Sequence, residues 1–217
     1  MKLEEYTEIF EKLSVKPDQY SKPIRVYCDV DGVIQPYIYD EKDLEPLGEK
    51  AELSFHRYKW ADEVETKNGF LYFRKSVREG LSALSHHPMV DFVWLTAWKM
   101  NAPLSLDKSL NIKSLGFLDW ERKMSDYNHV FKKVAVKDDQ KVSPSKFIWL
   151  EDLANKEDLY SQGLFSEMVS NYDVDFQDRK YENVIPEDRY LSINTDSYVG
   201  LLPEHFEKIN KWISSIN

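Results

Sequence analysis

Two aspartates, Asp29 and Asp31, follow directly after a short apolar segment at residues 24–28. Aspartate is uncommon in strands because its carboxylate is costly to bury and its side chain competes for backbone hydrogen bonds. One explanation of the pair is structural: the strand ends in an Asx turn in which Gly32 supplies a positive φ. The other is chemical: the two carboxylates bind a divalent cation and one oxygen remains free to react.

Further reactive side chains follow other apolar segments of the chain. Thr96 comes directly after the nearly continuous apolar run at 90–95, and Glu151 and Asp152 follow the run at 147–150. A basic cluster lies between these two segments and contains Lys132, Lys133 and Lys137. Because the carboxyl ends of parallel strands lie along one edge of a doubly wound sheet, we expect these distant residues to converge there.

This combination has the parts that phosphoryl transfer to a carboxylate requires. One aspartate must attack phosphorus, and a cation must reduce its repulsion from the phosphate. The cation needs several oxygen ligands, which explains a second acidic pair. A hydroxyl and a lysine can hold the other phosphate oxygens and offset charge in the transition state.

The segments around these residues predict an α/β fold with a doubly wound, Rossmann-like parallel sheet. Short apolar blocks alternate with helical segments, as expected for parallel strands buried on both faces. Asn68 and Gly69 separate two strand-like runs, which predicts a β-hairpin over 61–74, soon after the first strand. Ser76 is suited to cap a helix over 77–86. Residues 153–190 are polar with little periodicity and are interpreted as an insertion.

The composition limits the classes of partner. A formal net charge of −9 argues against an extended groove for nucleic acid, which needs a basic surface. The one cysteine, Cys28, fits a reducing compartment, and no segment resembles a signal peptide or a membrane span. We therefore expect a cytoplasmic protein without membrane contact. Residues 1–22 are expected to contain an amphipathic helix that packs on a domain formed by 23–217.

The order of these signals resembles that of the haloacid dehalogenase-like (HAD) hydrolase superfamily. Residues 29–33, Asp-Val-Asp-Gly-Val, are similar to its first motif, and Thr96 corresponds to its second. A lysine of the basic cluster corresponds to the third motif and Glu151-Asp152 to the fourth. The segments at 93–98, 149–152 and 194–201 are also similar to those of a narrower branch, the small HAD domains of bacterial and phage proteins and of "Swiss Army Knife" RNA-repair proteins.

The resemblance implies a role for each matched residue. Asp29 is expected to be the nucleophile and Asp31 the general acid and base. Thr96 with Ala97 and one lysine are expected to bind phosphate. Lys132 is the preferred lysine, with Lys133, Lys137 and Lys146 as alternatives. Mg²⁺ is expected to be held by the carboxylates of Asp29 and Asp152 and the backbone carbonyl of Asp31.

The function implied is that of a Mg²⁺-dependent phosphatase acting on a phosphomonoester through an aspartyl-phosphate. The substrate would be a phosphorylated small molecule, such as a nucleotide, or a nucleic-acid terminus. It would bind in an open cleft covered by the 60–74 hairpin as a flap, with 153–190 as a second candidate cover. Glu151 departs from the aspartate usual in the related small domains. That departure and the insertion at 153–190 support one alternative, a binding or regulatory protein with weak or no turnover. A phosphotransferase is a second alternative.

Overall fold

The computed structural model describes residues 3–36, 61–66, 69–120, 128–152 and 189–216, with side chains at 61–70, 128–131, 133 and 134 not described. Five strands form one parallel sheet: β1 (Ile24–Cys28), β4 (Val90–Trp94), β5 (Ser114–Phe117), β6 (Lys146–Glu151) and β7 (Tyr190–Asn194). Their order across the sheet is β5-β4-β1-β6-β7. The sheet confirms the predicted α/β fold with parallel strands, and its order is consistent with a Rossmann-like fold.

A separate antiparallel pair consists of β2 (Ala61–Thr66) and β3 (Gly69–Arg74). It lies at the predicted hairpin, with Ala61 opposite Arg74 and Thr66 opposite Gly69. The predicted insertion lies outside the described residues except for its last two positions, and β7 begins at Tyr190.

Five α-helices are described, in addition to a short 3-10 helix at Pro17–Gln19: α1 (Leu3–Leu13), α2 (Lys75–Ser85), α3 (Asn101–Leu110), α4 (Asn128–Val142) and α5 (Pro203–Ser214). The predicted cap at Ser76 is wrong, because α2 begins at Lys75 and its N-cap, Arg74, makes no side-chain capping bond. The helix thus continues almost directly from β3. None of the described helices combines the length and the apolar character that crossing a bilayer requires.

The side chains of β1 alternate between two apolar clusters, as a central parallel strand requires. Val26 and Cys28 belong to the larger cluster, which includes Leu81 of α2, Leu106 of α3 and Phe206 of α5. Tyr27 belongs to the smaller cluster, which includes Val136 of α4. Helix α1 packs at the edge of the sheet, where the rings of Phe10 and Phe117 meet edge to face with centroids 4.9 Å apart.

The strand order places β1 at the centre of the sheet. The chain passes from β1 outward to β4 and β5, then returns to the other side of β1 with β6 and β7. In open α/β sheets, ligands bind outside the carboxyl ends of the strands where this reversal occurs. The carboxyl ends of β1 and β6 are therefore the expected position of a site.

Candidate active site

Three carboxylates converge at the carboxyl ends of β1 and β6. Asp29, Glu151 and Asp152 each offer an oxygen within 4.8 Å of the others. Asp29 follows β1 directly, and its backbone N–H donates to the carbonyl of Leu150 in β6 over 3.0 Å. This bond extends the β1–β6 pairing beyond the end of β1 and holds the two acidic segments side by side. We refer to the three carboxylates as the acidic cluster.

Lys132 of α4 reaches into the acidic cluster. Its Nζ donates to Asp29 Oδ2 and lies 2.9 Å and 3.1 Å from the two carboxylate oxygens of Glu151. Lys132 is 4% exposed. Although burial alone would lower its pKa, the charges of Asp29 and Glu151 raise that pKa on balance. Lys132 therefore remains protonated. Of the four candidate lysines, it is the one that the sequence analysis preferred. Lys146 instead begins β6, at the opposite edge of the sheet.

Glu151 is the most deeply buried acid of the cluster and is 2% exposed. Burial raises the pKa of its carboxyl well above the usual range, the charge of Asp29 acts in the same direction, and Lys132 opposes both. Its Oε2 also accepts a hydrogen bond of 3.3 Å from Trp149 Nε1. The longer glutamate arm thus reaches Lys132 as well as the other carboxylates.

Asp152 is held close to the backbone of Gly32. A Cβ placed on Gly32 would lie 2.0 Å from Asp152 Oδ2, and Gly32 has a φ of +70°, so glycine is required here on two grounds. Burial and the charge of Asp29 raise the pKa of Asp152 to about 6, while hydrogen bonds with Ser197 and Glu151 oppose the shift. The glycine after the two aspartates therefore makes room for the fourth-motif aspartate.

Asp31 lies in the turn after β1 but directs its carboxylate to a different partner. Its Oδ2 accepts a hydrogen bond of 2.8 Å from Trp98 Nε1. Burial raises the pKa of Asp31, and the Trp98 bond counteracts part of this rise. The Asp31 carboxylate is not part of the acidic cluster, so the expected metal contact of Asp31 rests on its backbone carbonyl.

Thr96 and Ala97 follow β4 at the same edge of the sheet. Thr96 is 1% exposed, and its Oγ1 accepts the backbone N–H of Trp98 at 3.3 Å. Since a hydroxyl accepts and donates at once, Thr96 retains a proton that it can donate to a ligand oxygen. Ala97 is half-buried and packs against the apolar cluster on the α4 side of the sheet.

Thr195 is a residue of this site that the sequence reasoning did not assign. It follows β7, and its Oγ1 donates to the carbonyl of Gly32 at 2.9 Å, with a longer contact of 3.4 Å to the carbonyl of Glu151. The same side chain therefore ties the turn after β1 to the end of β6. Its position was the available signal, because Thr195 follows β7 directly, as Asp29 follows β1.

The donor set of the acidic cluster fits a hard divalent cation such as Mg²⁺. Carboxylate oxygens are the ligands that such ions prefer, and the described residues set one lysine against the three carboxylates of the acidic cluster. The raised pKa values of Glu151 and Asp152 express the same excess of negative charge. A bound cation would relieve this repulsion, with Asp29 and Asp152 as the carboxylates predicted to hold it.

Comparisons with protein-family models, with curated proteins and with solved structures found no match to this chain.

Proposed function

We propose that this protein is a Mg²⁺-dependent phosphatase of the HAD-like type, which hydrolyses a phosphomonoester through an aspartyl-phosphate. The observation that carries the proposal is the meeting of Asp29, Lys132, Glu151 and Asp152 where the strand order reverses. A purely structural Asx turn after β1 needs neither a buried lysine nor a second acidic pair. The bound cation would supply charge neutralisation between the nucleophile and the phosphate.

The first step forms a covalent bond to Asp29. One carboxylate oxygen of Asp29 attacks phosphorus, and the bond from phosphorus to the leaving oxygen breaks with its electron pair on that oxygen. Asp31 donates a proton to the leaving oxygen. Lys132 and Thr96 hold the remaining phosphate oxygens, and Lys132 exchanges part of its present contact with Asp29 for the phosphate.

The second step releases inorganic phosphate. Asp31, now deprotonated, accepts a proton from water as the water oxygen attacks phosphorus, and the bond from phosphorus to Asp29 breaks. The backbone N–H of Val30 donates to Asp29 Oδ1 over 2.7 Å and so fixes the orientation of the carboxylate for attack and departure. The proton that Asp31 accepts in the second step restores the acid that it used in the first step.

The substrate class in this proposal is a phosphomonoester small enough to present one phosphate at the sheet edge, such as a nucleotide or a nucleic-acid end. The net charge of −9 disfavours a long nucleic-acid track and is compatible with capture of a terminus alone. The β2–β3 hairpin is proposed as the flap over this cleft. It is anchored by Leu71 and Phe73, both fully buried in the larger apolar cluster.

The test is phosphate release from p-nitrophenyl phosphate and a panel of phosphomonoesters with Mg²⁺. Asp29→Asn is expected to reduce kcat by at least about a thousandfold, as loss of a covalent nucleophile does. Asp119→Asn is the matched control, since it makes the same change at a half-exposed surface carboxylate and should leave turnover unchanged. Chelation of the divalent cation should also abolish turnover.

Absence of turnover on the whole panel would contradict the enzyme and favour a binding or regulatory protein. Retention of activity in Asp29→Asn would contradict the covalent mechanism. Formation of new phosphate esters in the presence of added alcohols would identify a phosphotransferase.

A further inference from the structure

Trp98 lies in a tight turn between β4 and α3 that fixes its backbone. Its N–H donates to Thr96 Oγ1, and the N–H of Lys99 donates to the Thr96 carbonyl at 3.1 Å. Lys99 adopts a φ of +48°, which reverses the chain within this turn. The indole of Trp98 packs against the larger apolar cluster. Both the backbone and the ring are therefore restrained.

The restrained indole directs its N–H at one oxygen of Asp31. Trp98 Nε1 lies 2.8 Å from Asp31 Oδ2. An indole N–H can only donate, so Oδ2 is held as an acceptor and Oδ1 is left to carry and transfer a proton. The backbone of Asp31 is fixed as well, because it bridges to Gln35 and the next residue, Gly32, donates its N–H to the Gln35 carbonyl at 2.6 Å.

We propose that Trp98 is a positioning residue that selects which oxygen of Asp31 delivers the proton and aims it at the leaving group. This inference rests on the proposed phosphatase function. In the step concerned, the proton on Asp31 Oδ1 passes to the leaving oxygen as its bond to phosphorus breaks, and Asp31 becomes a carboxylate that accepts the indole N–H more strongly. Trp98 itself exchanges no proton and touches no reacting atom.

Trp94 provides a matched control for Trp98. Its Nε1 donates to Asp107 Oδ1 over the same distance, 2.8 Å, between β4 and α3, and Asp107 has no role in the proposed mechanism. Trp94→Phe and Trp98→Phe therefore each remove one indole-to-carboxylate hydrogen bond and retain an aromatic ring. A loss of activity due only to weakened packing would appear in both variants.

The kinetic test compares a good leaving group with a poor one. Trp98→Phe should lower kcat on an alkyl phosphate by about tenfold or more while changing kcat on p-nitrophenyl phosphate by less than about threefold, because nitrophenolate departs without a proton. Trp94→Phe should change both rates by the same factor. In an Asp31→Asn background, Trp98→Phe should cause no further loss on the alkyl phosphate, since the two residues act as one unit.

An equal loss on both substrates, or an undiminished loss in the Asp31→Asn background, would overturn the proposal. A second measurement does not depend on turnover. The indole N–H signal of Trp98, identified by its disappearance in Trp98→Phe, should shift in Asp31→Asn and exchange slowly with solvent in the wild type. If the Trp98 indole N–H signal does not shift in Asp31→Asn, the positioning role fails even when the enzyme is active. If the signal responds but no phosphomonoester is hydrolysed, the proposed function fails and the positioning role falls with it.

Discussion

Helix α4 makes two buried ion pairs with residues of the central strands and the turn after β1, and the two pairs differ in their balance of charge. At one end, Arg25 pairs with Asp139, one cation with one anion. At the other end, Lys132 contacts Asp29 and Glu151, with Asp152 close by. The first pair is neutral, whereas the second leaves an excess of negative charge among the described residues.

The surroundings of Arg25 and Asp139 are those of a structural ion pair. Asp139 accepts hydrogen bonds from the hydroxyls of Tyr20 and Tyr27, and the guanidinium of Arg25 also donates to Ser143. The guanidinium carbon lies 3.2 Å from the centroid of the Tyr20 ring. Within the described residues, Arg25 Nε is the one atom of this network without a hydrogen-bond partner. A site with its charges and hydrogen bonds so nearly satisfied has little capacity to bind a ligand, whereas the acidic cluster gains from a cation.

The difference between the two ion pairs is tested most strongly by changing an aspartate to asparagine at each end of α4. Asp139→Asn should lower the free energy of unfolding by about 3–5 kcal/mol, because it leaves Arg25 buried without a counter-charge. Asp152→Asn should leave the free energy unchanged or raise it in the absence of divalent cations, since it removes one of several repelling carboxylates. Urea denaturation at pH 7 measures both. Equal losses at the two positions would show that the ends do not differ.

Mg²⁺ should stabilise the wild-type protein through the acidic cluster. A cation that binds only the folded state contributes about 2–3 kcal/mol at a hundred times its Kd. Thermal unfolding with increasing MgCl₂ should therefore show a rising Tm. Asp152→Asn should largely remove this rise and Asp119→Asn should retain it. A Tm that does not respond to Mg²⁺ in the wild type would contradict the proposed metal site.

The pH dependence of stability should carry the signature of Asp152. Its pKa is about 6 in the folded protein against an ordinary 3.8, so the folded state binds more protons between these values. The free energy of unfolding of the metal-free protein should fall as pH rises from about 4 to about 6, by the order of 2 kcal/mol. Asp152→Asn should show a smaller fall over this window. A wild-type free energy that rises with pH there would contradict the repulsion inferred for the cluster.

The smallest effect is expected at an ion pair of ordinary length on the surface. Lys99 Nζ lies 2.8 Å from Asp119 Oδ1, but the Asp119 side chain is 44% exposed. Asp119→Asn should therefore change the free energy of unfolding by less than about 1 kcal/mol. A loss comparable to that of Asp139→Asn in the same urea experiment would show that burial does not explain the difference between these pairs.

Much of the site followed from the sequence because its parts obey local rules. Asp29, Thr96 and the pair Glu151-Asp152 each follow a block of apolar residues, and the ends of such blocks share one edge in a parallel sheet. The hairpin was predicted from Asn68-Gly69 for a similarly local reason. The helix start at Lys75 was not, because α2 continues from β3 without the side-chain cap that Ser76 was expected to provide.

The remaining features depend on how elements pack. Which lysine of the basic cluster reaches the acids is set by the rotation of α4 about its axis relative to β1. The pairing of Arg25 with Asp139 has a faint trace in the sequence, a charged residue in an otherwise apolar strand and an aspartate seven residues after Lys132. The bond from Trp98 to Asp31 joins two turns whose separation no sequence pattern encodes.

The two ion pairs also define the alignment of α4 on β1. Arg25 and Asp29 are four residues apart on one face of the strand, a span of about 13 Å, and Lys132 and Asp139 span about 10 Å along the helix. In chain order the cation precedes the anion on both elements, so both pairs can form only when the helix runs antiparallel to the strand. Sliding α4 along β1 by a single turn would carry both cations away from their partners. In one direction, the slide would also bring Asp139 towards Asp29. The Arg25–Asp139 pair at one end of α4 thus fixes the position of the helix along β1, and this position determines how far Lys132 reaches towards Asp29 at the other end.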